Sequence, residues 1–114
     1  MRILFVCTAN VDRSPAAEIA FKAIAGDAHE SRSAGTSATA HRPLRAADLE
    51  WADIVAVMED AHRHEIERRW PDQGPKIRVL DVPDCFHRDD PALRRALESR
   101  LTGLLAGRGG MIGP

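Results

Sequence analysis

The sequence predicts an α/β protein, a three-layer sandwich in which helices cover both faces of a four-stranded parallel sheet. Short apolar segments typical of buried strands alternate along the chain with segments of helical spacing. The 114 residues suffice for one hydrophobic core but not for two. We therefore expect a single domain over residues 1–107, followed by a flexible tail over 108–114.

The opening residues predict the first strand and the first helix. Residues 2–6 read as an apolar strand in the centre of a parallel sheet, where both faces are buried. A helix is expected over residues 14–25, because Ser14 is a suitable N-cap, Pro15 suits the first turn and Gly26 suits the end. The residues expected on its inward face are Ile19, Phe21, Ile24 and the neighbouring alanines.

The same alternation continues to the end of the chain. The elements expected next are a short strand near 30–34, a surface loop over 35–43, a helix within 44–52, a strand over 53–58, a helix over 59–70 and a strand over 76–82. Asp90 and Pro91 are expected to begin the last helix. Its apolar face repeats at spacings of three and four through Leu93, Leu97, Leu101 and Leu104.

Charge and composition exclude several classes of partner. A net charge of −1, with both signs mixed along the chain, argues against a nucleic acid or an anionic membrane surface. No apolar run approaches the roughly 20 residues of a spanning helix. Two cysteines do not form a secreted disulfide framework, so we expect a cytoplasmic protein.

The five histidines show no convincing metal pattern, and we expect neither a metal nor another cofactor. His62 and His64 are two residues apart on a predicted helix, so their side chains point in different directions. The segment "HRHEIERR" around them is interpreted as a solvated helix face.

The segment "CTANVDRS", residues 7–14, carries the chemistry and is called here the phosphate loop. It joins a strand to a helix, and the free N–H groups at a helix N-terminus bind anions and favour a thiolate at Cys7. Arg13 can give two parallel hydrogen bonds to phosphate oxygens. Thr8 and Ala9 are small enough for the backbone to curl, and Asn10 tolerates the left-handed conformation that such a curl requires. These features predict phosphoryl transfer to sulfur.

The segment "ILFVCTANVDRSPAAE" resembles the opening of the low-molecular-weight protein tyrosine phosphatases. "SRSAGT" and "WADIVAVMED" resemble later segments of that family in the right order, and the region between Gly35 and Asp48 is short, as in a compact bacterial branch. The resemblance implies the phosphotyrosine phosphatase I-like fold and a cysteinyl-phosphate intermediate. It implies that Cys7 is the nucleophile and Arg13 the phosphate clamp.

The resemblance also implies roles for the neighbours of these two residues. Ser14 would hydrogen-bond the thiolate and ease its departure, and Ser33 would brace Asn10. The residues implied in phosphate or substrate binding are Thr8, Ala9, Asn10, Val11, Asp12, Ser14 and Phe86. Ala9 stands where the family usually has glycine, and Asp12 stands where many members have a second cysteine. A carboxylate at Asp12 that faced the phosphate would weaken its binding.

Aryl phosphate hydrolysis needs an acid to protonate the leaving oxygen. The candidates after the last strand are Asp81, Asp84, Asp89 and Asp90. Asp84 is favoured because "VPDCF" resembles the acid loop of the family, with Phe86 as the aromatic residue beside the substrate. Asp90 has a competing interpretation as a helix cap. A reversible disulfide between Cys85 and Cys7 is a further hypothesis.

The sequence thus predicts a phosphomonoester hydrolase that acts on a phosphotyrosine protein or a small aryl phosphate, with phosphate or a similar oxyanion in the loop. Val11, at the apex of the loop, is apolar and suits an aromatic ester. The alternatives are a thiol-dependent arsenate reductase and a phosphate- or phosphopeptide-binding module without catalysis. We expect a monomer or a weak dimer.

Overall fold

The computed structural model describes residues 1–83, 87 and 89–107. Its strands are β1 (Arg2–Cys7), β2 (Glu30–Gly35), β3 (Ile54–Val57) and β4 (Ile77–Val79). Its α-helices are α1 (Arg13–Ala25), α2 (Ala46–Trp51), α3 (Asp60–Arg69) and α4 (Pro91–Gly107), and two 3-10 segments lie at Gly26–Ala28 and Pro71–Lys76. All strand pairs are parallel, in the order β2–β1–β3–β4. The predicted fold class is therefore confirmed.

Strand β1 lies in the interior of the sheet and is buried on both faces. Ile3 pairs with Ser31 of β2 on one side and with Ile54 of β3 on the other. Side chains alternate along a strand, so Ile3 and Phe5 face the core formed with α1 and α4, while Leu4 faces the opposite core. This double burial explains why the first strand reads as an apolar run rather than as an alternating pattern.

The leucine stripe of α4 is buried as predicted, and the inward face of α1 matches the prediction in its alanines and Phe21 but not in its two isoleucines. The buried α1 side chains that pack against the sheet and α4 are Ala16, Ala17, Ala20 and Phe21. Ile19 and Ile24 are 58% and 40% exposed, so their predicted inward position is wrong. Two residues along a helix turn by about 200°, which places Ile19 opposite Ala17. The small alanines let α1 pack closely on β1.

The last strand is shorter than the predicted 76–82. It ends at Val79, and Asp81 has a left-handed φ of 64°, which interrupts the extended backbone. The chain still follows β3, because Leu80 N donates to Val57 O and Val82 N donates to Met58 O, both at 2.8 Å. The predicted tail over 108–114 lies outside the described residues. In the part that is described, no helix combines the length and the apolar character that a bilayer crossing requires.

Candidate active site

The phosphate loop begins at the carboxyl end of β1 and ends in the first turn of α1. Cys7 is buried, and its Sγ lies 3.0 Å from Ser14 Oγ. The backbone N–H of Asn10 donates to the same sulfur at 3.2 Å. Two groups that can donate to a thiolate thus converge on one sulfur atom at a helix N-terminus.

Residues 36–41, here called the supporting loop, fix the direction of the peptide groups in the phosphate loop. The three hydrogen bonds run from Thr36 N to Cys7 O (2.9 Å), from Ser37 N to Thr8 O (3.0 Å) and from His41 N to Ala9 O (2.9 Å). The C=O and N–H of a trans peptide point in opposite directions. Since the three carbonyls face the supporting loop, the N–H groups of Thr8, Ala9 and Asn10 point away from it. The Asn10 N–H is directed at Sγ. An anion-binding nest likewise needs successive N–H groups that are not used by neighbouring carbonyls.

Asn10 takes the left-handed conformation expected from its residue type, with φ at 56°. Its side chain is buried, and Nδ2 donates to Ser14 Oγ at 2.8 Å. Ser33 Oγ donates instead to Glu18 Oε1, at 2.7 Å. The resemblance implies that Ser33 braces Asn10, but in the structure the Asn10 side chain is bonded to Ser14.

Ser14 is not the N-cap of α1, so that prediction is wrong. The helix begins at Arg13, and Asp12 occupies the N-cap position, where its carbonyl accepts the N–H of Ala16 at 3.0 Å. Ser14 lies inside the first turn, and its hydroxyl contacts Cys7 and Asn10. The partly buried Asp12 carboxylate stands at the positive end of the α1 dipole, where a negative charge is favourable.

Arg13 is 3% exposed and is held by two acceptors at the carboxyl ends of neighbouring strands. Its Nη1 donates to Glu59 Oε1 at 2.5 Å and to Val82 O at 3.0 Å. A buried guanidinium needs such a partner, because an unpaired buried charge is costly. Glu59 was not among the predicted site residues. The available signal was an acidic side chain directly after the buried β3 segment, at the same edge of the sheet as the phosphate loop.

His62 does not lie on a solvated helix face, so the interpretation of "HRHEIERR" is wrong at this residue. It is 4% exposed, and its Nε2 lies 2.9 Å from Thr8 Oγ1. Its Nδ1 accepts the backbone N–H of Glu59 at 3.0 Å. The imidazole is buried because the first turn of α3 lies against the phosphate loop, whereas His64 in the next turn is exposed, as predicted for the segment.

The other candidate residues differ in their exposure and in their contacts. Val11 is 47% exposed, and a cavity of about 310 Å³ lies beside it. The cavity is lined by Asn10, Val11, Pro15, Glu18, Ser33, His41 and Arg42. Asp90 Oδ1 accepts the N–H of Ala92 at 2.8 Å, as a cap of α4 does. Asp81 and Asp89 are exposed. Asp84, Cys85 and Phe86 lie outside the described residues.

Gly35 allows the supporting loop and the phosphate loop to approach each other. A Cβ at this position would lie 2.5 Å from Thr8 O and 2.6 Å from Ala40 Cβ. Gly35→Ala is expected to lower the free energy of unfolding by about 1–3 kcal/mol, as overpacking does, and to weaken phosphate binding. Urea unfolding and calorimetric titration with inorganic phosphate measure the two effects.

Gly103→Ala is the matched control, because the space beside this helical glycine is open among the described residues. The change to alanine there is expected to be neutral or to stabilise α4 by up to about 1 kcal/mol. Equal unfolding free energies for Gly35→Ala and the wild type would contradict the packing argument.

Comparisons with known proteins agree with this geometry. A family model for low molecular weight phosphotyrosine protein phosphatase matches residues 2–44. A search of curated proteins finds no significant match. Several solved structures have the same fold over nearly the whole chain.

Among them is the YwlE arginine phosphatase from Geobacillus stearothermophilus, which is 26% identical with a TM-score of 0.75 and covers 94% of both chains. A YwlE mutant from Bacillus subtilis is 27% identical with a TM-score of 0.79, covering 96% of this chain and 99% of that one. The low molecular weight protein tyrosine phosphatase from T. tengcongensis is 25% identical with a TM-score of 0.76, covering 93% of this chain and 98% of that one.

Residues 2–44 thus match the low-molecular-weight protein tyrosine phosphatase family, and the fold of the whole chain is similar to that of solved phosphatases. The resemblance seen in the sequence is thereby confirmed. These similarities support a cysteine-dependent phosphatase, with Cys7 at the end of the strand that leads into the phosphate loop.

Proposed function

We propose that the phosphatase hydrolyses phosphotyrosine in proteins, or small aryl phosphates, through a cysteinyl-phosphate on Cys7. The observation that carries this proposal is the convergence of Ser14 Oγ and the Asn10 N–H on Sγ, at 3.0 and 3.2 Å. Both groups can donate a hydrogen bond to a thiolate, which is the nucleophilic form of cysteine.

The reaction consists of two displacements at phosphorus. In the first, the Cys7 thiolate forms a bond to phosphorus while the bond to the aryl oxygen breaks, and that oxygen takes a proton from the general acid. In the second, the same group removes a proton from water. The water oxygen bonds to phosphorus, the S–P bond breaks, and inorganic phosphate and the thiolate are released. Ser14 stabilises the sulfur as it leaves.

Arg13 and the backbone of the phosphate loop are proposed to hold the phosphoryl oxygens. The supporting loop binds the carbonyls of Cys7, Thr8 and Ala9, so the N–H groups of Thr8, Ala9 and Asn10 point away from it, and that of Asn10 reaches Sγ. A guanidinium adds paired hydrogen bonds and a charge that opposes the one developing on the equatorial oxygens. Little covalent chemistry is then left to the protein beyond the nucleophile and the acid.

Asp84 is proposed as the general acid. The carboxylate of Asp90 is engaged by the N–H of Ala92 at the start of α4, which supports the assignment to Asp84. Asp84→Asn is expected to lower kcat on a phosphotyrosine peptide by about 10²–10⁴-fold and to remove the alkaline limb of the pH profile. Asp90→Asn is the control, because asparagine caps a helix as well as aspartate does. Loss of that limb in Asp90→Asn instead would transfer the acid role to Asp90.

The exposed Val11 supports an aromatic substrate, because an apolar side chain at the mouth of the site can pack on a ring and offers nothing to a charged group. Phe86 is proposed to flank the ring from the acid loop. A second candidate substrate is phosphoarginine, since one of the similar structures is described as an arginine phosphatase. Its guanidinium would require a polar contact that Val11 does not provide.

The test is a set of initial rates on p-nitrophenyl phosphate and on phosphotyrosine, phosphoserine and phosphoarginine peptides. We expect the highest kcat/KM values on the two aryl esters. A preference for the phosphoarginine peptide would overturn the substrate assignment. Phosphate binding without turnover would indicate a binding module, and arsenate-dependent oxidation of an added thiol would indicate a reductase.

A further inference from the structure

The start of α3 and the residue before it contact the phosphate loop at two places. His62 contacts Thr8, the residue after the nucleophile, and Glu59 contacts Arg13 near the other end of the loop. We propose that His62 is a positioning residue, which holds the start of the phosphate loop in the conformation that binds phosphate. This inference rests on the proposed function, since it assigns His62 to that same site.

The position of His62 is fixed by the sheet rather than by a flexible segment. Met58 N donates to Val6 O at 2.9 Å, so the residue before Glu59 lies beside the residue before Cys7. Helix α3 begins directly afterwards, at Asp60, and brings His62 to Thr8 within its first turn. A contact from this turn therefore fixes Thr8 relative to the strand that ends at the nucleophile.

The hydrogen bonds of His62 identify which ring nitrogen carries the proton. Glu59 N–H donates to Nδ1 at 3.0 Å, so Nδ1 carries no proton. A neutral imidazole then carries its proton on Nε2, which donates to Thr8 Oγ1 at 2.9 Å. Each nitrogen has a distinct role: one binds the start of α3, and the other binds the phosphate loop.

The contact to Thr8 supplements the supporting loop. Ser37 N already binds Thr8 O from one side, while His62 binds the hydroxyl of the same residue. Thr8 is thus held through both its backbone and its side chain, although it is itself exposed. Because its N–H is one of those proposed to face the phosphate, movement of Thr8 would disturb the anion site directly.

Substitution of His62 by asparagine or by glutamine tests its contacts to Glu59 and to Thr8 separately. The amide oxygen of asparagine can replace Nδ1 as acceptor for Glu59 N–H, whereas the amide nitrogen of glutamine can replace Nε2 as donor to Thr8. His62→Asn is expected to weaken the binding of inorganic phosphate by about 5- to 10-fold, the effect of one lost hydrogen bond. His62→Gln is expected to bind within about twofold of the wild type.

Two further variants complete the experiment. Thr8→Val removes the same hydrogen bond from the side of the loop and is expected to match His62→Asn, and the double variant is expected to be no weaker than either single one. His64→Asn makes the same chemical change at an exposed position of the same helix and is expected to bind phosphate as the wild type does. Phosphate affinity is measured by calorimetry, and kcat and KM for p-nitrophenyl phosphate are measured separately.

A merely structural role for His62 would change the urea midpoint without distinguishing the asparagine from the glutamine variant in phosphate affinity. Equal phosphate affinities for those two variants, or wild-type affinity in Thr8→Val, would overturn the proposal. If His62→Asn does not fold, the phosphate affinity of Thr8→Val tests the proposal instead. Failure of the wild type to hydrolyse p-nitrophenyl phosphate while it still binds phosphate would overturn the proposed function alone.

Discussion

Replacing Cys7 by serine is expected to reduce kcat on p-nitrophenyl phosphate by at least about 10⁴-fold. A serine hydroxyl is not ionised at neutral pH, and the hydroxyl of Ser14 that lies beside it is not a base. The backbone N–H groups of the phosphate loop are unchanged, so inorganic phosphate is expected to bind within a few-fold of the wild type. Steady-state kinetics and calorimetric titration with phosphate measure the two quantities.

Cys85→Ser provides a control of the same chemistry, since Cys85 is the only other cysteine of the chain. Under reducing conditions it is expected to keep wild-type kcat. Activity that persists in Cys7→Ser and disappears in Cys85→Ser would contradict the assignment of Cys7 as the nucleophile. Loss of both turnover and phosphate binding in Cys7→Ser would instead indicate that the loop itself requires the sulfur.

The features that depend on local pattern were predictable from the sequence. The apolar run of β1 and the leucine spacing of α4 are properties of single segments, and both were confirmed. The left-handed Asn10 follows from its residue type in a tight curl. Ser14 shows the limit of such patterns. A serine before a proline at a helix start is typical of an N-cap, but here its hydroxyl contacts the thiol and the asparagine instead.

The contacts between α3 and the phosphate loop could not be predicted in this way. His62 lies 54 residues after Thr8, and Glu59 lies 46 residues after Arg13. Helical periodicity describes which residues share a face of one helix, but not which other segment that face meets. The role of the supporting loop is still harder to predict from the sequence, because the loop acts through backbone N–H groups that every residue except proline has.

Replacing Arg13 by lysine is expected to lower kcat on p-nitrophenyl phosphate by about 10³-fold. The guanidinium presents five donors in a planar fork that matches the geometry of a phosphate, and Nη1 contacts Glu59 and Val82 O. An ammonium is a compact charge without this fork. A lysine that remains bonded to both Glu59 and Val82 O has one of its three donors left for the phosphoryl oxygens.

Arg94→Lys is the matched control, because Arg94 is an exposed arginine of α4 that pairs with Glu98 at 3.2 Å. This change is expected to leave kcat and phosphate affinity unaltered. Arg13→Lys keeps the charge opposite Glu59, so its urea midpoint is expected to stay close to that of the wild type. A clamp that acts mainly on the transition state lowers kcat more than phosphate affinity. Equal losses of kcat and of phosphate affinity would show that Arg13 only binds phosphate. No loss of kcat or of phosphate affinity would show that Arg13 takes no part in the site.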